Sequence, residues 1–95
     1  MDHDGLSELQ IRILRHMARF RPERGNGYDG NPELTQFGIA EVVSCARSNV
    51  AKNLADLIAH GLVDSAVLHV GGRRRRVHNY WLSDSGRRFV ESMFR

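Results

Sequence analysis

The chain is 95 residues long, with 41% hydrophobic and 26% charged residues and a formal net charge of +3. That length holds one small domain around one core, and the composition is globular, which excludes wholesale disorder. Its single cysteine, Cys45, excludes an internal disulfide and a cysteine zinc cluster. No apolar run approaches the roughly 18 residues of a membrane span, and the acidic start MDHDGLSEL is unlike a signal peptide. A cytoplasmic protein with no membrane partner is expected. Because the net charge is mild, any case for a polyanionic partner rests on where the arginines sit: they crowd at 73–76 and 87–88.

In residues 6–20, LSELQIRILRHMARF, the apolar Leu6, Leu9, Ile13, Met17 and Phe20 recur at steps of three and four, and Leu14 widens the stripe. This predicts an amphipathic helix, ended by Pro22. The Gly- and Asn-rich ERGNGYDGNPE that follows reads as a loop. A short second helix is expected in LTQFGIAEVV, with Thr35 as N-cap and Ile39, Val42 and Val43 turned inward. Gly38 inside that helix would cost about 1 kcal/mol relative to alanine. A third helix runs through RSNVAKNLADLIAHG, with Val50, Leu54, Leu57 and Ile58 as its buried stripe and Gly61 as its stop. Leu62 and Val63 then return to the core. Beyond them the period changes to two: SAVLHV and RRVHNYWL flank Gly71-Gly72 as an antiparallel hairpin. Ser83 caps a last helix, DSGRRFVESMFR, with Phe89, Val90, Met93 and Phe94 on its apolar face.

The expected fold is mainly α (α+β), in the order helix-helix-helix-strand-strand-helix, as one domain over 1–95. Two helices joined by a tight turn, at about 35–60, followed by a basic hairpin at about 65–82, form the pattern of a winged helix-turn-helix. Ala40 is small where the two helices would cross, and Val50 plugs the space between them. With Val50, Leu54 and Leu57 inward, the third helix would show Arg47, Ser48, Asn49, Lys52, Asn53 and Asp56 outward. Arg and Lys donate to guanine O6 and N7, Asn pairs with adenine, and Ser reaches a phosphate or a base. Any surface helix can carry such a strip, so the turn and the hairpin are what point it toward DNA. A glycine turn would project Arg73 and Arg74 into a minor groove or onto phosphates, with Arg75 and Arg76 supporting them on the backbone or against neighbouring acids. The competing reading is an edge strand protected from aggregation by charge.

The segments ELTQFGIAEVVSCARSNVAKNLADLIAHGLV and HVGGRRRRVHNYWLSDSG resemble the winged-helix domains of MarR-type transcription regulators. They are most similar to archaeal winged helices with Leu-Thr-Gln, Gly-Ile-Ala, Arg-Ser and Gly-Gly-Arg-rich motifs, over about residues 33–90. The resemblance implies double-stranded DNA binding through Arg47, Ser48, Asn49, Lys52 and Asn53 on the helix and Arg73 and Arg74 on the wing. Two positions depart from the pattern. Ala46 stands where a Ser or Thr cap is usual, at a cost of about 0.5–2 kcal/mol unless Ser44 substitutes, and Ser44 replaces a common turn glycine.

Other residues read more plainly. His69 and His78 lie on facing strands without a third ligand nearby, so no metal or other cofactor is expected. Cys45 reads as a small buried filler, with redox sensing as the alternative. RGNGYDGN lacks the spacing of a phosphate loop, nothing looks catalytic, and no enzyme is expected. Tyr28, Tyr80 and Trp81 are packing residues. Leu6, Ile11, Leu14, Phe89, Met93 and Phe94 are candidates for a homodimer contact, the alternative being closure of the monomer's own core. The competing function is a winged-helix protein-interaction module at the N-terminus of a larger signalling protein. Neither an effector ligand nor an operator follows from the sequence.

Overall fold

The computed structural model describes residues 5–20, 29–70 and 76–93, with only the backbone at 29, 30, 69, 70 and 76. The first helix, α1, spans Glu8–Met17 within 6–20: Ser7 caps its start and Ala18 is its C-cap. Its hydroxyl accepts from the Gln10 N–H at 3.1 Å, and the Gln10 side chain accepts the Ser7 N–H at 3.0 Å, a reciprocal capping box. Ile13, Leu14 and Met17 are buried as the periodicity requires, and Gln10 and His16 are buried beside them.

Part of the expected loop is structured. Asp29–Gly30 form a short strand, β1, which pairs in parallel with the far end of the hairpin at His69 and Val70. Pro32–Leu34 form a 3-10 turn with Pro32 at its start, where a missing N–H costs nothing, and Asn31 Oδ1 accepting the Glu33 N–H at 2.9 Å. Thr35 closes this turn and opens α2, Gln36–Val43: its hydroxyl donates to the Pro32 carbonyl at 2.7 Å and accepts the Gly38 N–H at 3.0 Å.

Helix α2 ends at Ser44, which adopts the left-handed conformation at φ 57° and ψ 49°. That conformation costs a residue with a Cβ about 1 kcal/mol or more, and here it makes the turn in place of glycine. Helix α3 follows at Arg47–Ala59 from Ala46, whose side chain provides no cap. Gly61, at φ 77°, stops α3, and the Leu62 N–H returns to the Leu57 carbonyl at 3.0 Å.

Two expected core positions are corrected. Val42 is 49% and Ile58 39% exposed. Ile39, Ala40 and Val43 take the inward arc of α2, and Val50, Leu54 and Leu57 that of α3. Val42 and Ile58 each lie about 100° round the helix from an inward neighbour, which turns them to solvent.

Strands β2 (Val63–Val70) and β3 (Arg76–Leu82) pair antiparallel from Val63 opposite Leu82 to His69 opposite Arg76, giving the sheet order β1-β2-β3. Asn79 is buried in β3, where its amide accepts the Asn31 N–H at 3.3 Å and donates to the Asn31 carbonyl at 2.9 Å. Helix α4, Asp84–Met93, starts at Ser83 as expected. The Ser83 hydroxyl accepts the Gly86 N–H at 2.9 Å and donates to the Gly61 carbonyl at 2.6 Å, tying the end of α3 to the start of α4. One core joins these elements, with Ile13, Leu14, Leu34, Ile39, Leu54, Leu57, Val63, Leu82 and Val90 among its members. The architecture is the winged-helix fold.

Candidate nucleic-acid interface

The solvent face of α3 is built by exclusion. Val50, Leu54 and Leu57 are at most 1% exposed, so the opposite side must face water. Arg47, Ser48, Asn49, Lys52 and Asp56 are exposed there, while Asn53 is half-buried. Asn53 is also less free than its neighbours, because its Nδ2 donates to the Asn49 carbonyl at 2.8 Å. Asp56 accepts from the buried Gln10 amide at 3.4 Å, linking α3 to α1. The strip thus presents two cations, a hydroxyl and an amide over its first two turns.

Several contacts hold this helix in place. Ala40 of α2 is buried, 8% exposed, in the core that α2 and α3 share. Arg12 of α1 donates to the Val43 carbonyl at 2.9 Å, satisfying the C-terminus of α2 just before the turn. His16 Nε2 lies 2.8 Å from the Glu33 carbonyl and so donates to it, leaving buried Nδ1 without a partner. Gln36 Nε2 donates to the Tyr80 hydroxyl at 2.9 Å, joining the start of α2 to the hairpin. Cys45 is a half-buried free thiol packed against the core at the turn.

Sequence periodicity gave no reason to single out Phe37. It is 71% exposed on the first turn of α2, and the Arg47 guanidinium carbon lies 5.5 Å from its ring centroid. An aromatic one turn into a helix looks like core by composition. Only the orientation of α2 reveals that it faces outward beside the strip.

The hairpin reaches His69 opposite Arg76, with the Gly71-Gly72 pair between its strands in the sequence. Arg73, Arg74 and Arg75 lie outside the described residues, and Arg76 is placed by its backbone as the first residue of β3. His78 stands opposite Val67 rather than His69, and among the described residues no group of three His, Cys, Asp or Glu is placed to hold a metal. Tyr80 is buried and Trp81 half-buried, while Tyr28 lies outside the described residues. Among the described residues, no helix is long and apolar enough to cross a membrane.

Of the six residues expected at a contact between copies, Leu14 is corrected: it is 0% exposed, enclosed in the chain's own core, and has no surface to offer. Leu6 and Phe89 are partly buried against that core. Ile11 and Met93 are half-buried, and Phe94 lies outside the described residues.

No protein-family model matches the sequence, and no curated protein matches it. Solved structures do match its fold. One is MepR, a transcription regulator of the Staphylococcus aureus multidrug efflux pump MepA, at TM-score 0.68 and 24% identity over 94% of this chain and 56% of that one. The S. aureus MepR–DNA complex matches at TM-score 0.71 and 23% identity, covering 96% of this chain and 63% of that one. A MarR-family transcriptional regulator from Silicibacter pomeroyi matches at 0.70 and 22%, over 95% and 51% of the two chains. A Ralstonia eutropha JMP134 protein matches at 0.68 and 20%, over 96% of this chain and all of that one. The chain therefore spans little more than half the length of the MepR structure it matches. At these identities the likeness establishes the winged-helix fold.

Proposed function

We propose that this chain binds double-stranded DNA as a sequence-specific transcription regulator of MarR type, nearest in its motifs to the archaeal winged helices and working in the cytoplasm. The observation that carries the proposal is the outward strip of α3, Arg47, Ser48, Asn49 and Lys52, on a helix whose other side is locked into the core. In a major groove, Arg47 and Lys52 donate to guanine edges or phosphates, and Asn49 offers the paired donor and acceptor that adenine requires. Asn53 joins them once its amide leaves the Asn49 carbonyl, a cost that makes it the weaker reader. Arg73 and Arg74 enter the minor groove or clamp phosphates one groove away, and Arg75 and Arg76 hold the backbone. The fold's occurrence in a protein–DNA complex supports this reading.

A homodimer would set two such helices on half-sites about one helical turn apart. Ile11, Leu6, Phe89, Met93 and Phe94 remain the residues proposed for its contact.

Salt dependence tests the proposal. Affinity for duplex should fall linearly on a log–log plot against salt, and Arg73→Ala or Lys52→Ala should each reduce the slope by about one if that residue contacts a phosphate. Unchanged binding in both variants would remove the helix and the wing from the interface together.

A further inference from the structure

We propose that Phe37 is a positioning residue, holding the Arg47 guanidinium in the orientation in which it meets DNA. The inference rests on the DNA-binding reading above and adds a residue that makes no base contact of its own. Phe37 is 71% exposed on α2, so core packing does not explain it. What it touches is informative: the Arg47 guanidinium carbon lies 5.5 Å from its ring centroid, within the range of a cation–π contact.

Arg47 is the exposed first residue of α3, directly after the turn. A guanidinium carries all five N–H donors in its plane. A cation–π contact draws on the charge of the group, so the donors not turned to the ring stay available to a phosphate or a guanine edge. The arginine is held without being used up.

The platform under the ring is firm. Residue 37 lies between Gln36, whose amide is bonded to Tyr80 at 2.9 Å, and Gly38, whose N–H is bonded to Thr35 at 3.0 Å. The other side of the pair is fixed by the α2–α3 turn, where Arg12 holds the Val43 carbonyl at 2.9 Å. The ring thus spans the helix-turn-helix from its first helix to the start of its second.

The test is a double-mutant cycle on a duplex selected from a random pool, combined with NMR of the free protein. Phe37→Leu should weaken binding about two- to fivefold in the parent and produce no further loss in an Arg47→Ala background. Phe37→Tyr should retain parental affinity, and the melting temperature of Phe37→Leu should stay within a few degrees of the parent. In the free protein, Arg47 side-chain protons should be shifted upfield by the ring and lose that shift in Phe37→Leu. An equal loss in both backgrounds would show that Phe37 touches the duplex itself and overturns the proposal. So would parental affinity in Phe37→Leu, or no ring shift in the parent. If the parent binds no duplex at all, the DNA reading falls and takes this role with it, whereas duplex binding without coupling removes Phe37 alone.

Discussion

Gly38→Ala is a sharp test of how α2 is seated. In an open helix this change would stabilise by about 1 kcal/mol, since alanine has the higher helix propensity. Here the added Cβ would meet the Pro32 carbonyl oxygen and lie 2.8 Å from Glu33 Cα, and both neighbours are backbone. Neither can swing aside as a side chain would. The 3-10 turn that carries them is held by Leu34 in the core, by the Asn31 cap and by the His16 bond to the Glu33 carbonyl. Overpacking of a closed site costs about 1–3 kcal/mol, and a backbone-on-backbone clash belongs at the upper end. With the propensity gain set against it, the net loss should be about 2 kcal/mol, equivalent to a fall of about 8–16 °C in melting temperature for a domain of this size. Urea and thermal unfolding followed by circular dichroism measure both quantities. Unchanged or increased stability would refute the close approach and leave Gly38 a mere tolerated defect.

Two further changes probe the frame around the exposed α3 strip. Ala46→Ser should raise stability by about 1 kcal/mol in urea unfolding, because Ala46 has the extended backbone of an N-cap at φ −64° and ψ 144° but no side-chain acceptor. Asn79→Leu should lower it by about 2–3 kcal/mol in the same assay, since it strands the N–H and carbonyl of Asn31 that the amide now pairs.

The elements that sequence makes legible are those whose causes are local. Thr35, Ser83 and Gly61 act at helix ends as their chemistry predicts, and Val50, Leu54 and Leu57 mark the inner side of α3 by spacing alone. The Ser7 cap is equally local, since Ser-Glu-Leu-Gln is a capping-box sequence. What stayed hidden depends on distant partners. Strand β1 exists through pairing with residues 69 and 70, while Asn79 and His16 are buried because backbone groups 48 and 17 residues away accept them. Val42 and Ile58 fit an apolar stripe as well as their neighbours do, and only packing chooses between them. At the site, the outward face of α3 could be deduced from its inward one. The Phe37–Arg47 pairing could not, since it needs the relative orientation of two helices.

Whether the chain reads duplex DNA is decided by selecting bound sequences from a random duplex pool at low salt with the intact protein. A defined motif should be enriched, with two-fold symmetry if two copies bind, and Asn49→Ala should lose base preference at a fixed position of that motif. A pool that emerges unenriched, or a motif unaltered by every substitution on the α3 strip, would contradict the proposed DNA reading.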